Sequence, residues 1–286
     1  MDGLCFEVVC VTWCTLNGTL MPLEEAAISP MDRGFLFGDG VYEVLALVDG
    51  VLRARDLHAA RLAQSLRGIQ LDVSVDAIFD SMDALIERSG LSDAKLYIQV
   101  TRGAAPTREH VFPTTIEPTV FLTASPFTAG ALTPSRAIVR PDIRWHRNSI
   151  KSVSLLGNVL LAEEARQHGA AEAILHRDGE VTEASTSNVF LLAAGVLRTP
   201  PLSEAILPGI TRHLVLELAE AHGLAIDESP VMIDELTAAE TMFVTSSTRG
   251  LLPIVAIEPG GVIGDGTPSP QFENLQNAYQ ALLHHH

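Results

Sequence analysis

The 286-residue chain carries a formal charge of −16 at neutral pH and is 47% hydrophobic. That length suits two modest domains with sizeable cores, and the acidic excess disfavours nucleic acid as a partner and fits simple solubility. No run reaches 18 consecutive apolar residues, so no membrane span is expected.

In chain order, the apolar start carries Asp2 and Glu7 without an early Lys or Arg, which is wrong for a secretory leader. Cys5, Cys10 and Cys14 are an odd set with no His among them. They fit neither a zinc site nor a disulfide framework, and a reducing cytoplasm is the expected home. Asn17-Gly18 and Asp49-Gly50 each separate strand-like runs and predict hairpins. Gly40 to Val48 reads as a strand. Asp56 is expected to cap a helix reaching about Arg67. Ser74 opens another, with Val75, Ile78, Met82, Leu85 and Ile86 on one face and Gly90 as its stop. A strand follows from Leu96 to Thr101. The Pro-, Gly-, Ser- and Thr-rich stretch at 126–135 reads as a linker between an N-terminal unit, 1–125, and a C-terminal unit, 136–281. Beyond it the pattern gives a strand near Ala137 to Arg140, a helix from about Leu155 to His168, and a hairpin at Asp178-Gly179. A helix starting at Pro208 follows, with Ile210, Leu214 and Leu218 on one side. His284 to His286 look like a purification-tag remnant.

Several chemistries lack their motifs. There is no G-x-S-x-G elbow, no H-E-x-x-H helix and no P-loop. Gly38-Asp39-Gly40 has Glu43 where the third glycine of a dinucleotide fingerprint belongs, and a strand follows it where a helix should.

Lys95 and Lys151 are the only lysines among 19 basic residues, so chemistry needing a primary amine has two candidates. Lys151 follows apolar Ile150 and precedes a helix; apolar walls and nearby cations lower an amine's pKa and make it nucleophilic. Lys95, beside Asp93, reads as a solvated strand end. Glu183 could hold a protonated ring nitrogen. Pro208-Gly209-Ile210-Thr211 opens a helix whose free N–H groups suit an anion, and Thr245-Ser246-Ser247-Thr248 offers further small donors. Arg61 borders an apolar stripe and could reach inward. Arg108 and His110 suit a carboxylate, with Tyr42 adding a phenol. Singly, each also fits an ordinary role as a solvated strand residue, a helix cap or a surface arginine.

Taken together, the motifs form a pattern. Ile28-Ser29-Pro30-Met31-Asp32-Arg33-Gly34-Phe35 followed by Phe37-Gly38-Asp39-Gly40-Val41-Tyr42-Glu43 resembles the N-terminal signature of the fold-type IV pyridoxal-phosphate enzymes. Ile150-Lys151-Ser152, Leu155-Leu156-Gly157-Asn158, Glu172-Ala173-Ile174-Leu175 and Thr182 to Asn188 resemble the cofactor segment, and Leu207 to Arg212 the phosphate helix. The resemblance runs from about Thr12 to Ile263. It implies an α/β fold of two domains, the smaller N-terminal and the larger built on a β-barrel-like sheet, which enclose pyridoxal 5′-phosphate in a homodimer. It implies that Lys151 carries the cofactor as a Schiff base and then moves the proton, and that Glu183 pairs with the pyridine nitrogen. Arg61, Ser185, Thr186, Gly209, Ile210, Thr211, Ser246, Ser247 and Thr248 would surround the cofactor, with Leu207 against the ring. Arg108-x-His110 with Tyr42 looks like the α-carboxylate trap of D-amino-acid transaminases, as do Trp145 and Arg147; His146 and Asn148 depart from that pattern. The implied reaction moves an amino group from a D-amino acid to a 2-oxo acid such as 2-oxoglutarate. The alternatives are a branched-chain L-amino-acid aminotransferase, an (R)-amine transaminase, an aminodeoxychorismate lyase and a non-catalytic cofactor-binding scaffold.

Overall fold

The computed structural model describes residues 12–128 and 133–285. Strands β1 (Trp13–Leu16), β2 (Thr19–Pro22), β3 (Gly40–Val48), β4 (Val51–Leu52), β5 (Ala94–Thr101) and β6 (Thr119–Pro126) form an antiparallel sheet in the order β2-β1-β6-β5-β3-β4. A short helix α1 (Arg33–Phe37) precedes β3, and α2 (Arg55–Gly68) and α3 (Val75–Ser89) cover one face. The Asn17-Gly18 and Asp49-Gly50 turns form as expected, with positive φ at all four residues. Ser74 accepts from the Ala77 N–H and Gly90 ends α3 in the left-handed region, as the cap and stop signals predict. The buried face of α3 is Ile78, Phe79, Met82 and Leu85, while Val75 and Ile86 are half-buried at its margin. Asp56 does not cap α2. The cap position is Ala54, with no side-chain bond, and Asp56 lies in the first turn, where its charge still complements the helix dipole.

The second sheet has nine strands: β7 (Ser135–Pro141), β8 (Glu172–Arg177), β9 (Glu180–Ala184), β10 (Asn188–Ala193), β11 (Val196–Arg198), β12 (Ala225–Asp227), β13 (Thr241–Ser246), β14 (Gly250–Glu258) and β15 (Gly261–Val262). Its order is β12-β11-β10-β13-β14-β7-β8-β9, with β15 paired to β14; pairing is mixed, and the sheet curls into a half-barrel. Helix α4 (Leu156–Gln167) packs on β7 and β8, and α5 (Ile210–Ala221) packs on α6 (Pro270–His285). Stacked Phe190 and Phe243, with Phe272 tilted against them, anchor α6 to the sheet. The expected Ile210, Leu214 and Leu218 stripe of α5 is only partly right. The innermost positions include Thr211, Val215 and Ala219, because small side chains let the helix approach β13 closely.

The strands leave little of the expected 126–135 linker, since β6 runs to Pro126 and β7 starts at Ser135, and 129–132 lie outside the described residues. Cys5 and Cys10 also lie outside them; Cys14 is a buried free thiol on β1. Helix α6, not expected from the residue pattern, continues through His285. Among the described residues no helix is long and apolar enough to cross a membrane.

Candidate active site

A short backbone bridge joins the two layers where the chemistry sits. The Tyr42 N–H donates to the Lys151 carbonyl at 2.9 Å and the Val153 N–H to the Gly40 carbonyl at 3.1 Å, so residues 151–153 lie against the start of β3. Gly38, at φ +66°, sits beside this segment. A Cβ there would lie 2.4 Å from the Ser154 hydroxyl oxygen, so a larger residue would push the lysine segment away. The Ser65 hydroxyl of α2 accepts from the Lys151 N–H at 3.2 Å.

The lysine Nζ lies 4.2 Å from the centroid of the Tyr42 ring, in a cavity of about 400 Å³ between the sheets. Burial, reinforced by the Arg61 charge, lowers its pKa to about 8, against the opposing pull of Glu43 and Glu183. Lys95 is exposed on β5, which leaves Lys151 as the amine of this cavity. Tyr42 is pushed up to about 12, chiefly by burial, so it stays a neutral phenol.

Glu183 closes one end of the cavity from β9. It accepts from Arg144 Nη1 at 2.5 Å, from Asn188 Nδ2 at 3.1 Å and from the Leu207 N–H at 3.1 Å. Burial raises its pKa to about 7 although Arg144 and the Leu207 amide oppose this. Arg144 is held in turn by Asp142 through Nε and Nη2, at 2.9 Å each. A buried carboxylate so oriented is suited to a protonated ring nitrogen, whose charge would favour its ionised form.

The other end is built for an anion. Gly209 caps α5 without a side-chain bond, and Ile210 and Thr211 line the cavity in the first turn, where N–H groups lack helical partners and the helix dipole favours negative charge. A Cβ on Gly209 would lie 1.9 Å from Asn188 Oδ1, so only glycine lets this turn approach β10. Ser246, at the end of β13, and Ser247 and Thr248, on the turn that follows, face the same space. Arg61 supports this end. It donates through Nε and Nη2 to Glu43 at 2.8 Å each and through Nη1 to the Pro208 carbonyl at 3.1 Å. His58 shares Glu43 at 2.7 Å. Burial alone would raise the Glu43 pKa, but Arg61 and His58 overcome it and hold the group at about 2. The amine, the buried carboxylate and the anion-binding end match in turn the aldehyde, ring nitrogen and phosphate of pyridoxal phosphate, so the residues fit that group.

Of the residues singled out from the sequence, Tyr42, Arg61, Lys151, Glu183, Ser185, Thr186, Leu207, Gly209, Ile210, Thr211, Ser246, Ser247 and Thr248 all line this cavity. Arg108 and His110 do not. They lie exposed in the loop between β5 and β6, where the Arg108 guanidinium sits 4.8 Å from the Phe37 ring centroid and Arg33 binds the Glu109 and His110 carbonyls. Four groups were given no role from the sequence: Glu43 with His58, Arg144 with Asp142, the Asn188 amide, and Glu172. Glu172 is buried and accepts from the hydroxyls of Ser185, Thr186 and Ser187 and from Arg249. A lone Glu inside the apolar run of β3, opposite a helix bearing His58 and Arg61 three residues apart, was the one readable signal among them.

Comparison with known proteins agrees with this geometry. The chain is 41% identical over 269 residues to a D-alanine aminotransferase of Bacillus licheniformis, covering 92% of this chain and 94% of that protein. It is 36% identical to one of Staphylococcus haemolyticus, covering 94% and 96%. Among solved structures, an Escherichia coli branched-chain amino acid aminotransferase matches with a TM-score of 0.89 at 25% identity, over 95% of this chain and 94% of that one. A branched-chain aminotransferase from Thermoproteus uzoniensis, solved with norvaline, matches with a TM-score of 0.85 at 27% identity, over 94% of each chain. Residues 40–257 match the family model for amino-transferase class IV, and the chain belongs to that family.

Proposed function

We propose that the protein transfers the amino group of a D-amino acid to a 2-oxo acid, with pyridoxal phosphate carried on Lys151. The observation behind the chemistry is the Lys151 amine, held near pKa 8 between a buried carboxylate and an anion-binding helix end. The preference for D-substrates is supported by the D-alanine aminotransferases that the chain resembles along nearly its whole length.

When bound, pyridoxal phosphate withdraws electrons from the α-carbon of the attached amino acid and makes its proton acidic. The chain's own groups do the rest. Nζ of Lys151 would hold the cofactor through its aldehyde and, once the substrate amine is bound there instead, would be the base that takes up and returns the proton at the substrate's Cα. Glu183 keeps the ring nitrogen protonated, with Arg144 fixing the carboxylate. The amides of Ile210 and Thr211 and the hydroxyls of Ser247 and Thr248 hold the phosphate. Donor and acceptor use the same cavity in turn.

The partner copy completes the site in this reading. Leu156, Val159 and Leu160 form an exposed apolar face on α4, next to exposed Trp145, while Phe35 and Val111 are exposed near Arg108. Such a face on a monomer marks an interface, and a two-fold dimer would carry Arg108 and His110 of one copy toward the other copy's cavity. Leu156→Asp is expected to shift the protein to monomer in sedimentation and to raise the KM for D-alanine at least tenfold. A variant that stays dimeric with unchanged KM overturns this arrangement.

Steady-state assays with D-alanine and L-leucine as donors and 2-oxoglutarate as acceptor test the function itself. Turnover of D-alanine at least 100-fold above that of L-leucine is expected. Turnover of L-leucine alone would instead support the branched-chain reading suggested by the solved structures.

A further inference from the structure

Among the described residues three arginines line the cofactor cavity, and two of them have every guanidinium nitrogen bonded. Arg61 spends all three nitrogens on Glu43 and the Pro208 carbonyl. Arg144 spends its three on Asp142, Glu183 and the Ala205 carbonyl. Arg249 differs. It sits on the three-residue turn between β13 and β14, with its side chain 35% exposed. Among the described residues its guanidinium is bonded only through Nη2, to Glu172 and to the hydroxyls of Thr186 at 2.8 Å and Ser187 at 2.9 Å. These contacts fix the guanidinium from one side. An arginine has five N–H donors, and in Arg249, which lines the cavity, those on Nε and Nη1 bond to none of the described residues.

We infer that Arg249 reads a second carboxylate on the substrate, making the dicarboxylic pair of a 2-oxo acid and its D-amino counterpart, of the glutarate type, preferred over monocarboxylic substrates. The inference rests on the transaminase reading and deepens it. Every amino-acid substrate brings an α-carboxylate, for which Arg108 and His110 of a partner copy are proposed. A positioned cation elsewhere on the wall suits a second negative charge on the substrate. Glu172 is buried, also accepts from three hydroxyls, and holds the guanidinium in place from one side. The cation is therefore pre-positioned, and little ordering is lost on binding.

Arg249→Gln retains an N–H donor toward Glu172 and removes the positive charge. The ratio of kcat/KM for D-glutamate to that for D-alanine is expected to fall about 10- to 100-fold, the worth of one charged hydrogen bond, with the change in KM. Arg249→Lys should recover part of it. In calorimetry on the cofactor-loaded protein, glutarate should weaken by a similar factor in Arg249→Gln, while butyrate should not. Parallel losses for both donors would assign Arg249 to the α-carboxylate or to the scaffold and overturn the inference, as would an unchanged ratio. If the wild type turned over no D-amino acid, the parent reading would fail, and the contrast between glutarate and butyrate would decide the role of Arg249 alone.

Discussion

Lys151→Ala is expected to lower kcat by roughly 10⁴-fold or more, because one side chain supplies both the covalent anchor and the proton carrier. Among the described residues the cavity holds no second amine to take over, since Lys95 is exposed on β5. Borohydride reduction of the loaded wild type should label the peptide containing Lys151, and that of the variant should not. Small added amines should restore part of the rate by replacing the proton carrier. The pH dependence has a definite sign. An amine must be neutral to attack an aldehyde, and its neutral fraction rises with pH. With a pKa of about 8 in the cofactor-free protein, the rate of pyridoxal phosphate capture should climb through pH 7 and level off above about 8. An ordinary lysine would still be gaining at pH 10. Capture that keeps rising to pH 10, or label on another peptide, would remove Lys151 from its proposed role.

Glu183→Gln is expected to cost about 10- to 1,000-fold in kcat while the protein still takes up the cofactor. A carboxylate beside a cation moves that cation's pKa by about 1–3 units, and each unit is a factor of ten in the protonated fraction. The amide keeps the shape and can still accept from the Leu207 N–H, so the loss is of charge more than of structure. Arg144 would keep Asp142 as its counter-charge. The distinguishing readout is the absorbance of the bound cofactor, whose titration should move to lower pH in Glu183→Gln. A variant with full turnover and an unmoved titration would show that the carboxylate only braces Arg144.

The residues legible in the sequence are those whose signal is local. Ser74 and Gly90 mark the ends of α3 because caps and left-handed stops act within a few residues. Gly209 and Thr211 announce an anion site because a helix start is a local event. Lys151 stood out by the scarcity of lysine, and the order of the motifs supplied the rest. What stayed hidden is pairing across distance. Glu43 and Arg61 are 18 residues apart, Arg144 and Glu183 are 39 apart, and Glu172 and Arg249 are 77 apart. Each reads alone as a solvated charge, and only the curled sheet turns it into a buried partner. Ala194, at φ +50° beside Gly195, makes a hairpin that no Asn or Asp announced, because the flanking strands β10 and β11 impose the turn. The placement of Arg108 could not be read either, since a loop's reach depends on the fold and on what packs beside it.

The contacts of Tyr42 with Lys151 and of Gly40 with Val153 mean that the reactive nitrogen has no independent foothold in either half of the molecule. Its chain belongs to the later half, while the strand that aligns it and the hydroxyl that receives its amide belong to the earlier one. Severing the gene between the halves would yield one fragment with a lysine and no alignment and another with an alignment and no lysine. Catalytic competence here is a property of the seam.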